Sequence, residues 1–301
     1  MSKQQIVKIG IVVSICIAAL LSVLPLQMAG ADNSAWMSAL ADEREINTLA
    51  IPGTHDSGAT HSIADLSGKC QSLSIDEQLE LGVRFFDIRL QLKNNKLVVV
   101  HSFVDQATDF DDVLDDMKEF LDDNPTEFLI VSIKQDADPS GSNLDFTKEL
   151  EKMLRSCNKV SEATDLPNTV GEARGRIHII SRYSGSTLGV PAYYGWADST
   201  SFELGELYVQ DHYKVDDAQT KINDIMVAMQ TAGRSEHSLV LNFTSCYYPD
   251  GFPPTYAGTP ALTINPWLID FLSGENEVCG VFVCDFMTDK LCETIIGRNF
   301  V

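Results

Sequence analysis

Positive charge is what this chain has least of: 22 lysines and arginines face 43 acids, a net charge of −21 at pH 7. That argues against nucleic acid as a partner, because a phosphate backbone demands a basic surface. It argues equally against docking on anionic membranes by surface charge alone. Metal-type CxxC pairs are missing. So are internal repeats, low-complexity blocks and linker-like stretches, which leaves no obvious place to divide the chain. Only one apolar run is long, Ile9–Leu26; Lys3 and Lys8 precede it and Ala29-Gly30-Ala31 follows. That order reads as a secretory signal over residues 1–31. A retained membrane anchor is the alternative, since the run is near the minimum spanning length. Pro25 and the small-residue tail favour cleavage. The leader carries two lysines and no acid, so the remainder has a net charge of −23. An anionic substrate must then be met by a local positive pocket.

Six cysteines lie beyond the leader: Cys70, Cys157, Cys246, Cys279, Cys284 and Cys292. Export permits disulfides. Free core thiols and one or two bridges both remain open. Cys279 and Cys284 lie on one expected strand and, five apart, point to opposite faces, which disfavours a bond between them.

What the chain does have is alternation. Apolar, β-rich runs cover Asn47–Ile51, Val83–Gln91, Leu97–Val100, Glu127–Lys134, Arg176–Ser181, Glu206–Gln210, Ser238–Phe243 and Gly280–Cys284. Several are continuous, such as Phe128-Leu129-Ile130-Val131, which means burial on both faces and suits a parallel sheet covered by helices. Between the runs sit helical patterns at Ile75–Leu81, Phe110–Asp122, Leu144–Cys157, Lys214–Ala232, Asn265–Leu272 and Lys290–Ile296. Their Met and Leu stripes are core faces. The order predicts one α/β domain over residues 32–301, a single (β/α) barrel of TIM type. The first crossover has little helical pattern, so distortion is expected there.

The run Leu49-Ala50-Ile51 stops at Pro52-Gly53, and His55, Asp56 and Gly58 follow at once. Pro52 lacks an N–H and is expected to end the strand. In a barrel of this class the site lies at the C-terminal strand ends. Those ends deliver His55 and Asp56, then Asp87 and Arg89, His101, Lys134, Arg182, Asp211 with Tyr213, and Asp285. Asp87 and Arg89 are two apart and share a face. One histidine at a strand end is unremarkable; successive ends carrying ionisable groups point at one pocket. Fixed cations inside so acidic a chain suggest a phosphate ligand. Two histidines flanking an arginine suggest general base, general acid and anion clamp for phosphoryl transfer. Asp87 and Asp285 serve either to orient imidazoles or as plain salt-bridge structure. No metal site is expected, because Arg89 stands where a second carboxylate ligand would be needed. His178 reads as a core residue, and alternation turns His212 away from the pocket; His61 and His237 are also set aside.

The segments IPGTHDSG (51–58), GVRFFDIRL (82–90), VVVH (98–101), GRIHIISRYSGS (175–186), VQDHYKV (209–215), LNFTS (241–245) and Asp285 resemble the X domain of phosphatidylinositol-specific phospholipase C, in particular the secreted bacterial enzymes. The resemblance runs in order over residues 36–300. It implies His55 as the base for the inositol 2-hydroxyl, Arg89 as the phosphate clamp in place of calcium, and His101 as the general acid with Asp56 assisting. It implies Asp285 orienting His55, Asp87 near His101 and Arg89, and Lys134, Arg182 and Asp211 bonding inositol hydroxyls over a Tyr213 platform. The implied products are diacylglycerol and inositol 1,2-cyclic phosphate, with slower hydrolysis to inositol 1-phosphate, no cofactor, and a transient membrane surface as partner. Glycosyl-phosphatidylinositol anchors fall within the same chemistry. No obligate protein partner is implied. Two departures stand out. Ser102-Phe103 follows His101 where relatives tend to have glycine, and Ala59–Leu73 lacks tryptophan for an interfacial rim. The loop Tyr247–Tyr256, with Phe252, is either that rim or an ordinary loop. A metal-dependent glycerophosphodiesterase on a related barrel and a non-catalytic inositol-phosphate or membrane-binding module are the alternatives.

Overall fold

Leu49, Ala50 and Ile51 are wholly buried, and the strand they begin lies at the centre of one large sheet. The computed structural model describes residues 33–61, 68–102, 104–232, 239–249, 256–274 and 277–301. The leader 1–31, Phe103, His237 and Phe252 lie outside them.

In chain order the strands are β1 (Ala50–Thr54), β2 (Phe85–Lys93), β3 (Lys96–His101), β4 (Val104–Asp109), β5 (Leu129–Gln135), β6 (Ile177–Arg182), β7 (Val190–Pro191), β8 (Ser201–Leu204), β9 (Leu207–Gln210), β10 (Leu239–Phe243) and β11 (Gly280–Cys284). The helices are α1 (Ile75–Leu81), α2 (Phe110–Asp123), α3 (Phe146–Ser156), α4 (Val170–Ala173), α5 (Ala218–Ala232), α6 (Gly258–Leu272) and α7 (Asp289–Gly297). Strands β7-β6-β5-β2-β1-β11-β10-β9 form one parallel series in that spatial order. The order is that of a TIM-type barrel read around its wall. Among the described residues no ladder joins β7 to β9, and β8 covers the β9 edge in antiparallel fashion. The sheet is therefore a curled barrel with one open seam. β1, β10 and β11 are buried at every position, which is why none of them carries a charged side chain.

Three expectations need correction. The run at Leu97–Val100 is not a barrel strand: β3 pairs antiparallel with β2 through a two-residue turn, Asn94-Asn95. Both turn residues take positive φ, 49° and 65°, as a tight hairpin turn requires and asparagine tolerates. The barrel place it was given belongs to β7, two residues long and too short to leave a pattern. The third concerns Pro52, which sits inside β1. Its carbonyl accepts from the Arg84 N–H at 2.9 Å, so its nitrogen faces β2, whose ladder with β1 begins only at Gly53 and Phe85. The missing N–H falls before the ladder starts. Gly53 is needed for space, since a Cβ there would lie 3.0 Å from Phe85 Cβ and 3.1 Å from Val281 Cγ1.

Helix α1 starts with a capping box, Ser74 with Glu77, and ends on Gly82 at φ 111°. It is the helix of the first crossover among the described residues. No described helix is long and apolar enough to cross a membrane.

Candidate active site

The C-terminal ends of the barrel strands open into a cavity of about 660 Å³ lined by His55, Arg89, His101, Lys134, Arg182, Asp211, Tyr213 and Asp285, among others. All ten residues singled out from sequence are at or just beneath this mouth; Asp56 and Asp87 form its buried floor.

His55 follows β1. Its Nδ1 is 2.8 Å from Asp285 Oδ1, just past β11, and its Nε2 is 2.8 Å from Arg89 Nη2 on β2. A guanidinium only donates, so Nε2 must be the acceptor and Nδ1–H the donor to Asp285. The contacts thus assign a neutral imidazole whose basic nitrogen faces the cavity. Burial alone would lower the His55 pKa; the Asp285 charge and hydrogen bond outweigh it and raise the value above the ordinary 6.5.

Arg89 is fixed from below. Its Nε and Nη2 donate to Asp87 Oδ2 at 3.2 and 3.0 Å, and its Nη1 lies 3.3 Å from Asp56 Oδ2. Burial works against its charge, but Asp56 and Asp87 push its pKa well above the ordinary value. Asp87 also accepts from Arg182 Nη1 at 3.1 Å. Burial would raise the Asp87 pKa, yet Arg89 and Arg182 hold it well below the usual carboxylate range. Asp56 behaves the other way. It is buried, its nearest partners are Arg89 and, at 3.5 Å, His101 Nε2, and burial wins, so its pKa rises. Two neighbouring carboxylates are thus shifted in opposite directions, Asp87 down by its two arginines and Asp56 up by burial.

His101 arrives by a different route from the one expected. β2 runs past the mouth to Lys93, and β3 folds back with Leu90 opposite Val99, so the hairpin returns His101 to the level of Asp56. Ser102, directly after His101, takes φ 55°, and Asp56 and Phe286 take 45° and 48°. These non-glycine residues in the left-handed region adjoin or form the site, a local strain the fold maintains. The Ser102 N–H donates to Asp136 Oδ2 at 2.7 Å, and Lys134 Nζ donates to Asp136 Oδ1 at 2.5 Å.

On the far side Arg182 lies under Trp196, 3.6 Å from the ring centroid, and Trp196 Nε1 donates to Asp211 Oδ2 at 3.0 Å. Tyr213 OH donates to Asp198 Oδ1 at 2.5 Å. Asp136 and Trp196 were missed in the sequence. Asp136 had a signal, being two residues after Lys134 and so on the same face of β5's extension. Trp196 had none, since it comes from the irregular β7–β8 connection. His212 does face away, to Asp224 at 2.8 Å, and His178 is buried with Nε2 on the Ala173 carbonyl. The six described cysteines are free thiols.

Could a resident metal replace the clamp? His55, Cys70 and Asp285 cluster, but both His55 nitrogens are engaged and Arg89 occupies the centre of the floor. Charge compensation among the carboxylates is already provided by a guanidinium.

Comparison with known proteins gives a consistent result. Residues 50–183 match the model for "Phosphatidylinositol-specific phospholipase C, X domain". The chain is 26% identical over 276 residues to a 1-phosphatidylinositol phosphodiesterase of Listeria monocytogenes, covering 88% of this chain and 84% of that protein. It is 29% identical over 237 residues to the protein of that name in Staphylococcus aureus, covering 70% and 74%. The structure of a mutant phosphatidylinositol-specific phospholipase C from Staphylococcus aureus superposes with a TM-score of 0.79 at 26% identity, covering 89% of this chain and 98% of that one.

Proposed function

The chain carries the X domain of the phosphatidylinositol-specific phospholipase C family, and on that premise we propose that its barrel mouth cleaves phosphatidylinositol by intramolecular phosphoryl transfer. The observation that carries the reading is the unbroken array Asp285–His55–Arg89–Asp56–His101 across one cavity.

The inositol 2-hydroxyl gives its proton to His55 Nε2 as its oxygen bonds to phosphorus. Arg89 swings from His55 to the phosphate oxygens and stabilises the charge that builds there. The bond from phosphorus to the glycerol oxygen breaks, and His101, supplied by Asp56, protonates that oxygen. Diacylglycerol and inositol 1,2-cyclic phosphate result. In the slower second step water replaces the alcohol: His101 takes its proton, and His55 returns a proton to the 2-oxygen, giving inositol 1-phosphate. Lys134, Arg182 and Asp211 bond the ring hydroxyls, and Tyr213 underlies the ring. Asp87 keeps Arg89 and Arg182 in register. Glycosyl-phosphatidylinositol anchors share the reacting diester and fall in the same substrate class.

The test uses phosphatidylinositol vesicles with excess EDTA, followed by phosphorus NMR. The cyclic phosphate should appear first and the monoester later. His55→Ala should cost at least about 100-fold in kcat with an unchanged circular dichroism spectrum. Strict dependence on added calcium or magnesium would favour the metal-dependent diesterase instead.

The leader-like order of residues 1–31 supports export of a catalytic unit over 32–301. Recovery from culture medium of a protein whose N-terminus lies near residue 32 is the corresponding check.

A further inference from the structure

Cys70 takes no step in that chemistry, yet its thiol sits in the cavity floor. It is buried, and its backbone is clamped on both sides: its N–H donates to the Ala59 carbonyl at 2.8 Å, and its carbonyl accepts from the Phe286 N–H at 2.8 Å. Ligand-type atoms of Asp56, Cys70 and His101 lie within 4.8 Å of one another. Asp56 Oδ2 and His101 Nε2 are 3.5 Å apart. In a tetrahedral zinc site with bonds of about 2.0–2.3 Å, neighbouring ligand atoms are roughly 3.3–3.7 Å apart. The oxygen and nitrogen already have that spacing, and the sulfur lies within 4.8 Å of both.

A second observation points to a ligand. Asp56 is 1% exposed, and its carboxylate makes only ion-pair contacts, to Arg89 Nη1 at 3.3 Å and to His101 Nε2 at 3.5 Å, with no hydrogen bond to either oxygen. Buried acceptors are normally hydrogen-bonded, so a carboxylate left without one beside an imidazole nitrogen and a thiol keeps lone pairs for a further cation. The other cluster containing this thiol, His55 with Asp285, lacks such vacancies because both ring nitrogens are used.

We propose that Asp56, Cys70 and His101 form a binding site for a thiophilic divalent cation of the zinc type, and that an ion held there switches the site off. Imidazole, carboxylate and sulfur together suit zinc, whereas calcium and magnesium want oxygen. On binding, the thiol proton leaves to solvent and the thiolate bonds the metal. Thiolate and Asp56 then supply two negative charges against the ion's two, which limits repulsion from Arg89. The fourth position faces the cavity and takes water. The ion removes His101 and Asp56 from leaving-group protonation. Its binding stands on the geometry alone; the inhibition rests on the reading of the preceding subsection.

The test uses the whole protein, freed of metal, as wild type and as Cys70→Ala. Cobalt is titrated while near-ultraviolet absorption reports thiolate-to-metal charge transfer. Zinc is titrated separately against turnover of phosphatidylinositol vesicles. The wild type should show a one-equivalent cobalt band displaced by zinc, and inhibition that EDTA reverses. Cys70→Ala should lose the band and need at least about ten-fold more zinc for half-inhibition, with metal-free turnover unchanged. No band in the wild type, or equal zinc sensitivity in the variant, overturns the proposal. If Cys70→Ala does not fold, Cys70→Ser carries the same comparison. A protein without phosphatidylinositol turnover overturns the functional reading only, and the cobalt titration still decides the metal site.

Discussion

His55 is poised by two opposed contacts, a carboxylate on one nitrogen and a guanidinium on the other. Asp285 sets both the tautomer and the basicity, because its charge is what overcomes burial. In its proposed role as general base His55 works in the neutral form, so the acid limb of the kcat/KM profile should follow its pKa and lie above 6.5. Asp285→Asn keeps the shape and removes the charge. The acid limb should then move to lower pH, and the plateau rate should fall by about 100-fold or more as the tautomer is released. An unmoved acid limb would assign that ionisation to another group. The pair also links pH to stability. A folded-state pKa raised above the unfolded one contributes fully below the unfolded value and fades as pH rises through the folded value. Asp285 illustrates what was legible at this scale: it ends a strand, so its place at the mouth could be read, whereas its pairing with a residue 230 positions away is a product of β1 lying beside β11.

At the scale of elements, the apolar runs were readable where a strand is long and buried on both faces, and unreadable where position depends on a neighbour. β7 has two residues and lies in the sheet because Gly189 turns the chain onto β6. Gly189 has φ 71°, and a Cβ there would lie 2.6 Å from the Ile179 carbonyl oxygen. Gly189→Ala therefore meets both backbone strain and a clash with main chain, which has little room to yield. It should cost about 2–3 kcal/mol, seen as a lower urea midpoint with an unchanged slope. The β2–β3 hairpin misled for the converse reason: its strand pattern is genuine, but periodicity does not report the direction of pairing, which the Asn94-Asn95 turn dictates. The rim is a third case. Tyr256, 41% exposed, and Tyr193, 47% exposed, both line the cavity; Tyr194 packs edge-on against Tyr193, and Leu262 lies on helix α6, which follows Tyr256, each 80% exposed. Apolar groups so placed suit insertion into an interface. Tyr194→Ser with Leu262→Ser should weaken vesicle binding at least several-fold and leave hydrolysis of soluble inositol cyclic phosphate unchanged. Loss of both activities would make these residues structural.

For the molecule as a whole, composition and site pull in opposite directions. The chain carries a net charge of −21, yet the proposed substrate is an anionic lipid presented on an anionic surface. Local cations solve this only inside the cavity: Arg89 and Arg182 are tied to carboxylates and largely buried, so they do not advertise a positive face to an approaching membrane. Encounter with a phosphatidylinositol-rich vesicle is therefore repulsive at long range, and apolar contact at the rim must hold the protein there. The Debye length is about 30 Å at 0.01 M salt and about 10 Å at 0.1 M, so salt removes the repulsion well before it reaches interactions inside the mouth. Raising ionic strength across that range should lower the apparent KM on phosphatidylinositol-rich vesicles and leave kcat nearly constant. Dilution of the vesicles with a zwitterionic lipid should flatten the effect, because the repelling surface charge has gone while the headgroup chemistry remains. Turnover of the soluble cyclic phosphate should change little or fall slightly, since that small anion is attracted by the buried cations and has no membrane behind it. A KM on vesicles that rises with salt would reverse the argument, assigning capture to a basic patch and the aromatic rim to a secondary role.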